Sequence, residues 1–357
     1  MKKRILLFSK YSKLGASSRM RTINYISYLE NNGYEVILRP LFEDDYITTM
    51  YQRGGKSKRI AFRAYVKRFM DLRLILRVDL VWIEKELFPY FPPLIEYLLN
   101  VINVKYIVDY DDAIFHNYDR SNNRMVRLTL KNKIESVMRN ATLVVCGNSY
   151  LEARAKVAGS HNIEIIPTVV DIKSYHVVSE GRPLRIGWIG TPSTQKYLLE
   201  IRDEIVYLCL KYNCELFVVG GNDLLLDAFS TINVLINDWS EITESELISK
   251  IHIGIMPLPD APFERGKCGY KLIQYMASGK PVVASDVGVN REIISLNNCG
   301  FLVNDKQDWI TQLSKLIESE KLRTDMGTRG RKTVNDSYCY DVSKPRLLDL
   351  INETLSQ

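Results

Sequence analysis

Several features are missing from this sequence, and each absence excludes a class of protein. No run of 18 or more apolar residues occurs, so no membrane-spanning helix is predicted. Only four consecutive apolar residues, at positions 5–8, follow the basic start, too few for the apolar region of a signal peptide. The six cysteines are scattered, with no C-x-x-C pair, which predicts free thiols in a reducing cytoplasm.

Two phosphate-binding motifs are also missing. The pattern G-x-x-x-x-G-K-[ST] does not occur, which argues against a P-loop nucleotidase. G-x-G-x-x-G follows neither of the two strands expected to open a domain, which argues against a nicotinamide or flavin site. What is present is an ordinary soluble composition, 46% hydrophobic and 25% charged, over 357 residues. That length predicts two domains of roughly 150–180 residues each.

Short apolar runs alternate with helix-like segments along the whole chain, which predicts an α/β protein with parallel sheets. The expected strands are 4–9, 36–39, 80–83, 106–108, 143–146, 164–166, 184–189, 215–219, 234–235, 253–256, 281–284 and 300–303. No periodicity survives between Pro167 and Pro183, so we expect an interdomain linker there. The predicted domains are 1–170 and 183–335, doubly wound and facing each other across a cleft, with a C-terminal helix at 336–357 that packs back toward the first.

The most informative stretch is 255–294, in which two buried strands enclose a loop rich in glycine and lysine. Gly266 and Gly269 allow a close backbone approach, and the helix predicted from about residue 270 offers free N–H groups to an anion. Lys267 and Lys271 are four residues apart and are expected to converge on that anion. The alternative is a βα loop with two solvated lysines. A second loop of this kind follows the strand 184–189, with Gly190, Thr191 and a lysine, Lys196, nearby.

The first domain has two polar segments after its strands. Gly15, Ser17, Ser18 and Arg19 follow the first strand; a serine there can cap a helix, and Arg19 can bind a phosphate or carboxylate. The carboxylates at 109, 111 and 112 follow a buried strand, at the sheet edge where α/β proteins bind ligands. Their mutual repulsion predicts a raised pKa for at least one of them, unless a cation neutralises the group. A metal ion is the alternative, but we expect no metal site.

The first half of the chain is the basic one. Residues 1–180 contain 28 Lys and Arg against 19 Asp and Glu, a net of +9, and the remainder carries 20 against 23. Nine of the basic residues lie in 53–77 with a single acid, interleaved with apolar side chains. This pattern is typical of a helix on an anionic membrane, where each basic residue adds about 1 kcal/mol. The alternatives are nucleic acid, which lacks a recognisable module here, and a solvated helix face.

Taken together, these motifs resemble the group 1 (family 4) retaining glycosyltransferases of GT-B fold. The resemblance rests on YMASGKPVVAS at 275–285 with GVNRE at 288–292, and on the loop RGKCGYKLIQYM at 265–276, which is similar to one subgroup. It extends to GASSRMR at 15–21, YIVDYDDAIF at 106–115, VCGNSYL at 145–151, IIPTVVD at 165–171 and LRIGWIGTPST at 184–194. One departure stands out, because Gly266 and Gln274 occupy the positions where the family has two glutamates.

The resemblance implies a hexosyltransferase-like enzyme that moves a sugar, with retained anomeric configuration, from a UDP- or GDP-type donor to a sugar or lipid-linked acceptor. It implies no cofactor, no nucleic acid, and a place on the cytoplasmic face of the plasma membrane, in polysaccharide or glycolipid synthesis. The rivals are an epimerase or hydrolase of nucleotide sugars and a non-catalytic binding protein. The catalytic candidates are Lys271, Lys267, Asp111 and Asp112. The donor-binding candidates are Gly15, Ser17, Ser18, Arg19, Gly190, Thr191, Lys196, Trp239, Gly266, Gly269 and Gln274.

Overall fold

Each of the twelve predicted strands is present in the computed structural model, which describes residues 2–53, 58–178 and 181–356. Most strands differ from the predicted limits by no more than two residues. The inner strands are buried on both faces, which is why they read as plain apolar runs in the sequence, whereas the strands at the sheet edges are partly exposed. The strands are β1 Lys3–Tyr11, β2 Tyr34–Phe42, β3 Leu80–Glu84, β4 Tyr106–Tyr110, β5 Leu143–Cys146, β6 Ile163–Ile165, β7 Arg185–Ile189, β8 Glu215–Val219, β9 Val234–Asn237, β10 Ile253–Met256, β11 Val282–Ser285 and β12 Gly300–Val303.

Helices lie between the strands along the chain, as parallel sheets require. In the first part of the chain they are α1 Ala16–Arg21, α2 Ile26–Asn31, α3 Asp44–Arg53, α4 Lys58–Asp71, α5 Leu94–Val101, α6 His116–Asp119, α7 Arg124–Leu130, α8 Lys133–Asn140 and α9 Ser149–Ala158. In the second part they are α10 Gln195–Leu199, α11 Arg202–Tyr212, α12 Leu224–Ala228, α13 Glu244–Ser249, α14 Pro262–Arg265, α15 Tyr270–Ala277, α16 Val289–Ser295, α17 Lys306–Glu318, α18 Glu320–Ser337 and α19 Tyr340–Ser356.

The chain forms two units, and each contains one six-stranded parallel sheet. Unit 1 comprises Met1–Thr168 with Ser343–Gln357, and its strand order is β2-β1-β3-β4-β5-β6. Unit 2 comprises Val169–Val342, with the order β12-β11-β10-β7-β8-β9. Both orders are those of doubly wound, Rossmann-like sheets, which confirms the predicted fold class.

Some predicted helices are divided in the structure. The segment expected as one helix at 22–31 is a 3₁₀ turn, Ile23–Tyr25, followed by α2. The segment expected at 124–138 divides into α7 and α8. The basic segment 53–77 becomes α4 followed by a 3₁₀ turn, Leu72–Arg77, and its residues 54–57 lie outside the described part of the chain. No glycine or proline stands at these breaks to signal them.

The segment expected as a free linker is instead packed into unit 2. Val169, Val170 and Tyr175 are buried, although their spacing follows no helical or strand period. The amide of Val170 donates to the carbonyl of Tyr338 at 3.0 Å, and the amide of Tyr340 donates back to Val170 at 3.2 Å. The correction is therefore that unit 2 begins at residue 169.

The C-terminal helix α19 starts in unit 2 and continues as part of unit 1. Leu347, Leu350 and Ile351 are buried in its inner face. Its polar contacts in unit 1 include a hydrogen bond from the Tyr25 hydroxyl to Ser343 at 2.9 Å. Within the described residues, no helix is both long and apolar enough to span a membrane.

Candidate functional site

Unit 1 gathers polar side chains where its strand order reverses. That reversal lies between β1 and β3, and the carboxyl edge of such a reversal is the usual ligand site in open α/β sheets. Ser17 and Ser18 come from α1, just after β1. Glu84 ends β3 and Lys85 follows it, while Asp111 follows β4. Four separate segments therefore contribute to one cluster, which we call the unit 1 cluster.

Two linked sets of hydrogen bonds hold the unit 1 cluster together. Lys85 Nζ lies 2.8 Å from Asp111 Oδ1 and 3.0 Å from Ser17 Oγ, and Ser17 Oγ donates to Asp111 Oδ2 at 2.5 Å. Ser18 Oγ donates to Glu84 Oε2 at 2.6 Å, and the same oxygen accepts the Lys10 amide at 2.8 Å. The serines expected to contact a donor are thus held by acidic residues of their own unit.

The charge of Asp111 is compensated by Lys85. Burial alone would raise the pKa of Asp111, but the ammonium of Lys85 and the hydrogen bond from Ser17 lower it to about 2. Burial disfavours the charged form of Lys85, yet Asp111 and the nearby Asp112 hold its pKa above the usual range. The cation that the three carboxylates required is therefore a residue of the protein.

Lys85→Met should destabilise the protein by about 3 kcal/mol, because it leaves the carboxylate of Asp111 buried without its partner. The free energy of unfolding in urea at pH 7 measures this loss. Asp111 contributes stability above its unfolded pKa of about 4, which is lost as the pH falls toward 2, so the deficit should shrink in acid. The matched control is Lys85→Met with Asp111→Asn, which should recover part of the loss. An unchanged free energy of unfolding in Lys85→Met contradicts the pairing.

Asp109 and His116 bind partners of their own. Arg21 contacts both oxygens of Asp109, at 2.8 and 3.0 Å. Burial raises the pKa of Asp109 to about 6 although Arg21 opposes the shift, so desolvation, and not the mutual repulsion that the sequence suggested, is the main cause. His116 lies 2.9 Å from Asp119 and 3.0 Å from the Tyr150 hydroxyl.

The loop before α1 explains Gly15 and the burial of Arg19. A Cβ at Gly15 would lie 2.3 Å from the Cβ of Tyr11, so a larger residue would displace the loop. Arg19 is only 1% exposed, and its guanidinium donates to the carbonyl of Lys13 at 2.9 Å. Its observed contact stabilises this loop, and binding of a phosphate by Arg19 stays a prediction.

Unit 2 has its own reversal of strand order, between β7 and β10, and α15 is anchored there. The amide of Ile189, at the end of β7, donates to the hydroxyl of Tyr275 at 2.8 Å. A Cβ at Gly254 in β10 would lie 2.3 Å from the Tyr275 ring, so the helix lies directly on the strand. Tyr275, in the last turn of α15, thereby anchors the helix on β7 and β10.

Lys267 and Lys271 lie close enough together to affect each other electrostatically. Lys271 is partly buried, with its Nζ 4.5 Å from the centre of the Trp188 ring. Burial and the charge of Lys267 lower the pKa of Lys271 to about 7. Lys267 Nζ lies 5.2 Å from the Phe263 ring. A bound anion would stabilise the charged form of Lys271 and offset its repulsion by Lys267, as expected of an anion site.

The glycines of this loop permit tight packing. Gly269 has a φ of +65°, and a Cβ there would lie 2.5 Å from Ile293 Cδ1, so the start of α15 packs directly on α16. Gly266 is buried at the end of α14. Glu264, the acid nearest to the position of the missing first glutamate, accepts a hydrogen bond from the Tyr197 hydroxyl at 2.6 Å.

The loop after β7 is closed by its own hydroxyl groups. The amide of Thr191 donates to Thr194 Oγ1 at 3.0 Å, and the hydroxyls of Thr191 and Ser193 are 2.8 Å apart. A Cβ at Gly190 would lie 2.4 Å from the Trp188 ring. Lys196 is exposed, with its Nζ 4.9 Å from the Tyr197 ring.

Gln274 is buried and does not present its amide to solvent, and its role as a donor-binding residue stays a prediction. It is 2% exposed, and its Nε2 donates to Glu244 Oε1 at 2.6 Å and to the Tyr175 hydroxyl at 3.1 Å. The Tyr175 hydroxyl also donates to Glu244, at 3.2 Å, and the indole N–H of Trp239 donates to the other Glu244 oxygen. Trp239 therefore packs at this network, and stacking on a donor base stays a prediction.

Sequence reasoning did not select several residues of these clusters. Glu84 and Lys85 follow a buried strand, as the carboxylates at 109–112 do, so the same rule would have found them. Arg21 lies in the segment 15–21 that was selected, but no role was given to it. Tyr175 and Glu244 carry no local signal, because distant parts of the chain bring them to Gln274.

Comparisons with known proteins identify the fold and a family that part of the chain resembles. A family model described as "Glycosyl transferases group 1" matches residues 183–319. The chain is similar in structure to a sucrose-phosphate synthase from Thermosynechococcus elongatus (TM-score 0.76, 13% identity, 99% of this chain and 100% of that one). It is also similar to Anabaena HepE in complex with UDP (0.71, 14%, 99% and 99%). The fold is GT-B.

A third GT-B structure, WaaG, a glycosyltransferase involved in lipopolysaccharide biosynthesis, has a TM-score of 0.68 at 14% identity and covers 98% of this chain and 99% of its own. No curated protein gives a significant match. The family match covers β7 to α17 and so includes Lys267, Lys271 and Gln274.

Proposed function

We propose that the protein is a retaining glycosyltransferase that moves a sugar from a nucleoside-diphosphate donor to an acceptor hydroxyl. The observation that carries the proposal is the lysine pair at the start of α15, where burial and Lys267 lower the pKa of Lys271 to about 7. A diphosphate leaving group carries the negative charge that would neutralise these two lysines. The match of residues 183–319 to the group 1 glycosyl transferases supports the same assignment.

In this proposal Lys267 and Lys271 stabilise the diphosphate as negative charge develops on it, with Lys196 and the free N–H groups of α15 in support. No residue of the protein acts as a nucleophile. The leaving diphosphate oxygen takes the proton of the acceptor hydroxyl, which attacks the anomeric carbon on the same face. A catalytic role for Asp111 and Asp112 stays a prediction.

The proposed donor is of UDP or GDP type, and the HepE structure in complex with UDP favours uridine. The acceptor is a sugar or a membrane lipid carrying one, in the synthesis of surface polysaccharide or glycolipid. The relation to WaaG, which is involved in lipopolysaccharide biosynthesis, supports this class of acceptor. The cysteines, six free thiols, suit a cytoplasmic enzyme on the inner face of the plasma membrane.

Binding of a donor panel tests the proposal. Thermal unfolding is measured with UDP-, GDP- and dTDP-sugars, and one nucleotide class should raise the melting temperature. Lys267→Ala/Lys271→Ala is the variant that should lose the shift, while Lys315→Ala/Lys321→Ala removes two exposed lysines elsewhere in unit 2 and should keep it. The absence of a shift with every nucleotide sugar would contradict the proposal.

A further inference from the structure

The helix α4 presents an apolar face to solvent. Phe62, Val66, Phe69 and Met70 are all exposed, Phe62 by 71% and Phe69 by 67%. Their spacing of four, seven and eight residues from Phe62 places them on one side of the helix. From the sequence, a helix on an anionic membrane was predicted, with a solvated helix face as the alternative; in the structure α4 has apolar residues on two sides.

Arg68 fixes the orientation of α4, so that the apolar face cannot be its core side. This arginine is 1% exposed and points into unit 1, where it donates to the carbonyls of Ser9 at 2.7 Å and Arg39 at 3.1 Å. Its guanidinium also lies 4.7 Å from the Phe8 ring. Arg68 is therefore a structural residue of unit 1, and not one of the solvent-facing charges.

A second exposed apolar face belongs to α5. Leu94, Tyr97, Leu98 and Val101 repeat at helical spacing and are all exposed, while Glu96 and Leu99 face the interior. Crossovers that advance in one direction along a parallel sheet place their helices on one face of it. The connection from β2 to β3 contains α4, the connection from β3 to β4 contains α5, and both advance in the same direction along the sheet. The two helices therefore lie on the same face of the sheet.

The loop between β3 and α5 joins the two helices. The Tyr65 hydroxyl of α4 donates to the carbonyl of Pro89 at 2.7 Å, and its ring lies 5.7 Å from Phe88. Tyr90 and Phe91, in the same loop, are exposed. The α4–α5 surface is defined as Phe62, Val66, Phe69, Met70, Tyr90, Phe91, Leu94, Tyr97, Leu98 and Val101.

This surface is unusual for a protein that contacts only water. The exposed phenylalanines of the described chain, Phe62, Phe69 and Phe91, all belong to it. Exposed apolar patches of several large side chains mark interfaces with proteins or membranes. Arg59, Arg63 and Lys67 lie next to the stripe on the exposed side of α4, and Arg73 follows in the next turn. Aromatic side chains beside basic ones match the apolar interior and the anionic headgroups of a bilayer.

We propose that the α4–α5 surface docks unit 1 onto an anionic lipid bilayer, with the phenylalanines inserted and the arginines on the headgroups. The docking of unit 1 on a bilayer does not depend on the proposed function. A lipid-linked acceptor, in contrast, does rest on the proposed function. Leu94 begins α5 shortly after Lys85, so the surface starts at the sheet edge that carries the unit 1 cluster. A docked bilayer would therefore lie beside that cluster.

Vesicle flotation of the full-length protein tests the docking, with phosphatidylcholine vesicles that contain a quarter phosphatidylglycerol. Phe62→Ser/Phe69→Ser on α4 and Tyr97→Ser/Leu98→Ser on α5 should each lower the bound fraction at least fivefold. Leu210→Ser/Leu224→Ser, which removes two equally exposed leucines of unit 2, should leave the bound fraction unchanged. These side chains are exposed, so thermal unfolding should be the same in all three variants.

Charge reversal on α4 provides an independent test of the docking. Arg59→Glu/Arg63→Glu should lower binding to the anionic vesicles at least fivefold, whereas Lys315→Glu/Lys321→Glu, with the same change of charge on unit 2, should not. Wild-type protein that fails to float, or serine variants that float as well as wild type, would overturn the proposal. So would a wild-type dimer in solution that the serine variants abolish while flotation persists, because the surface would then be an interface between two copies.

Discussion

Lys271→Ala should lower kcat by more than about tenfold, the scale of losing one charge contact that strengthens in the transition state. The Lys271 ammonium lies against the Trp188 ring and beside the repelling charge of Lys267 at the start of α15, where the diphosphate of the donor is expected. Lys196→Ala, which removes an exposed lysine of α10, should have a smaller effect. Near-normal turnover in Lys271→Ala would contradict the role of this residue.

Proton uptake on donor binding provides a second test of the role of Lys271. With a pKa of about 7, Lys271 is mostly neutral at pH 8 in the free protein, and a bound diphosphate raises its pKa toward the usual value. Donor binding at pH 8 should therefore take up a proton, whereas at pH 5.5 the lysine is already charged and no uptake is expected. Calorimetric titrations in two buffers of different ionisation heat measure this, and Lys271→Ala should show no uptake at either pH.

Gln274→Glu should destabilise unit 2 by about 3 kcal/mol at pH 7, although it restores the residue that the resembled family has at this position. The new carboxylate would lie against Glu244, whose oxygen is 2.6 Å from Gln274 Nε2, in a place where both side chains are buried. Ionising both carboxylates in one buried site costs much free energy, so the pKa of one of them must rise strongly. Urea denaturation measures the loss of stability.

The pH dependence of that loss identifies its cause. A carboxyl group whose pKa is raised in the folded state binds its proton more tightly there than in the unfolded chain. Stability then falls as the pH rises, so the deficit should be largest near pH 7 and shrink toward pH 5. Gln274→Met loses the hydrogen bonds without adding charge, and should cost about 1 kcal/mol at every pH.

Exchanging the residues at positions 274 and 244 is a more specific control than Gln274→Met. Gln274→Glu/Glu244→Gln keeps one carboxylate and one amide in contact, and the glutamine carbonyl can still accept the indole N–H of Trp239. This double variant should recover most of the stability lost by Gln274→Glu alone. A single variant as stable as wild type, with no dependence on pH, would contradict the network.

The strands and the fold class were predictable because parallel strands buried on both faces read as apolar runs between polar turns. The proximity of Lys267 and Lys271 was predicted from their four-residue spacing, although Lys267 lies in the loop before α15 and only Lys271 belongs to the helix. The interior partners of polar residues were not. Gln274 was expected to point toward a ligand, but Glu244 and Tyr175 bind it from segments thirty and ninety-nine positions away in the chain.

Arg68 shows the same limit on the scale of one helix. Within a run of nine basic residues nothing local distinguishes it from Arg63 or Lys67, yet it is the one that donates to the backbone of two strands. The apolar residues of that run were likewise ambiguous. Tyr65 faces the interior of unit 1 and Phe62 faces solvent, a difference that depends on how β2 and the loop after β3 pack against α4.

The central claim is sugar transfer with retention at a site that contains Lys271. The most direct measurement incubates the protein with the nucleotide sugar that it binds and a membrane lipid extract, and records nucleoside diphosphate release and the anomeric proton signal of the first product. The account predicts release that requires the extract, a product with the anomeric configuration of the donor, and loss of both in Lys271→Ala. Release without an acceptor, or a product of inverted configuration, would contradict it.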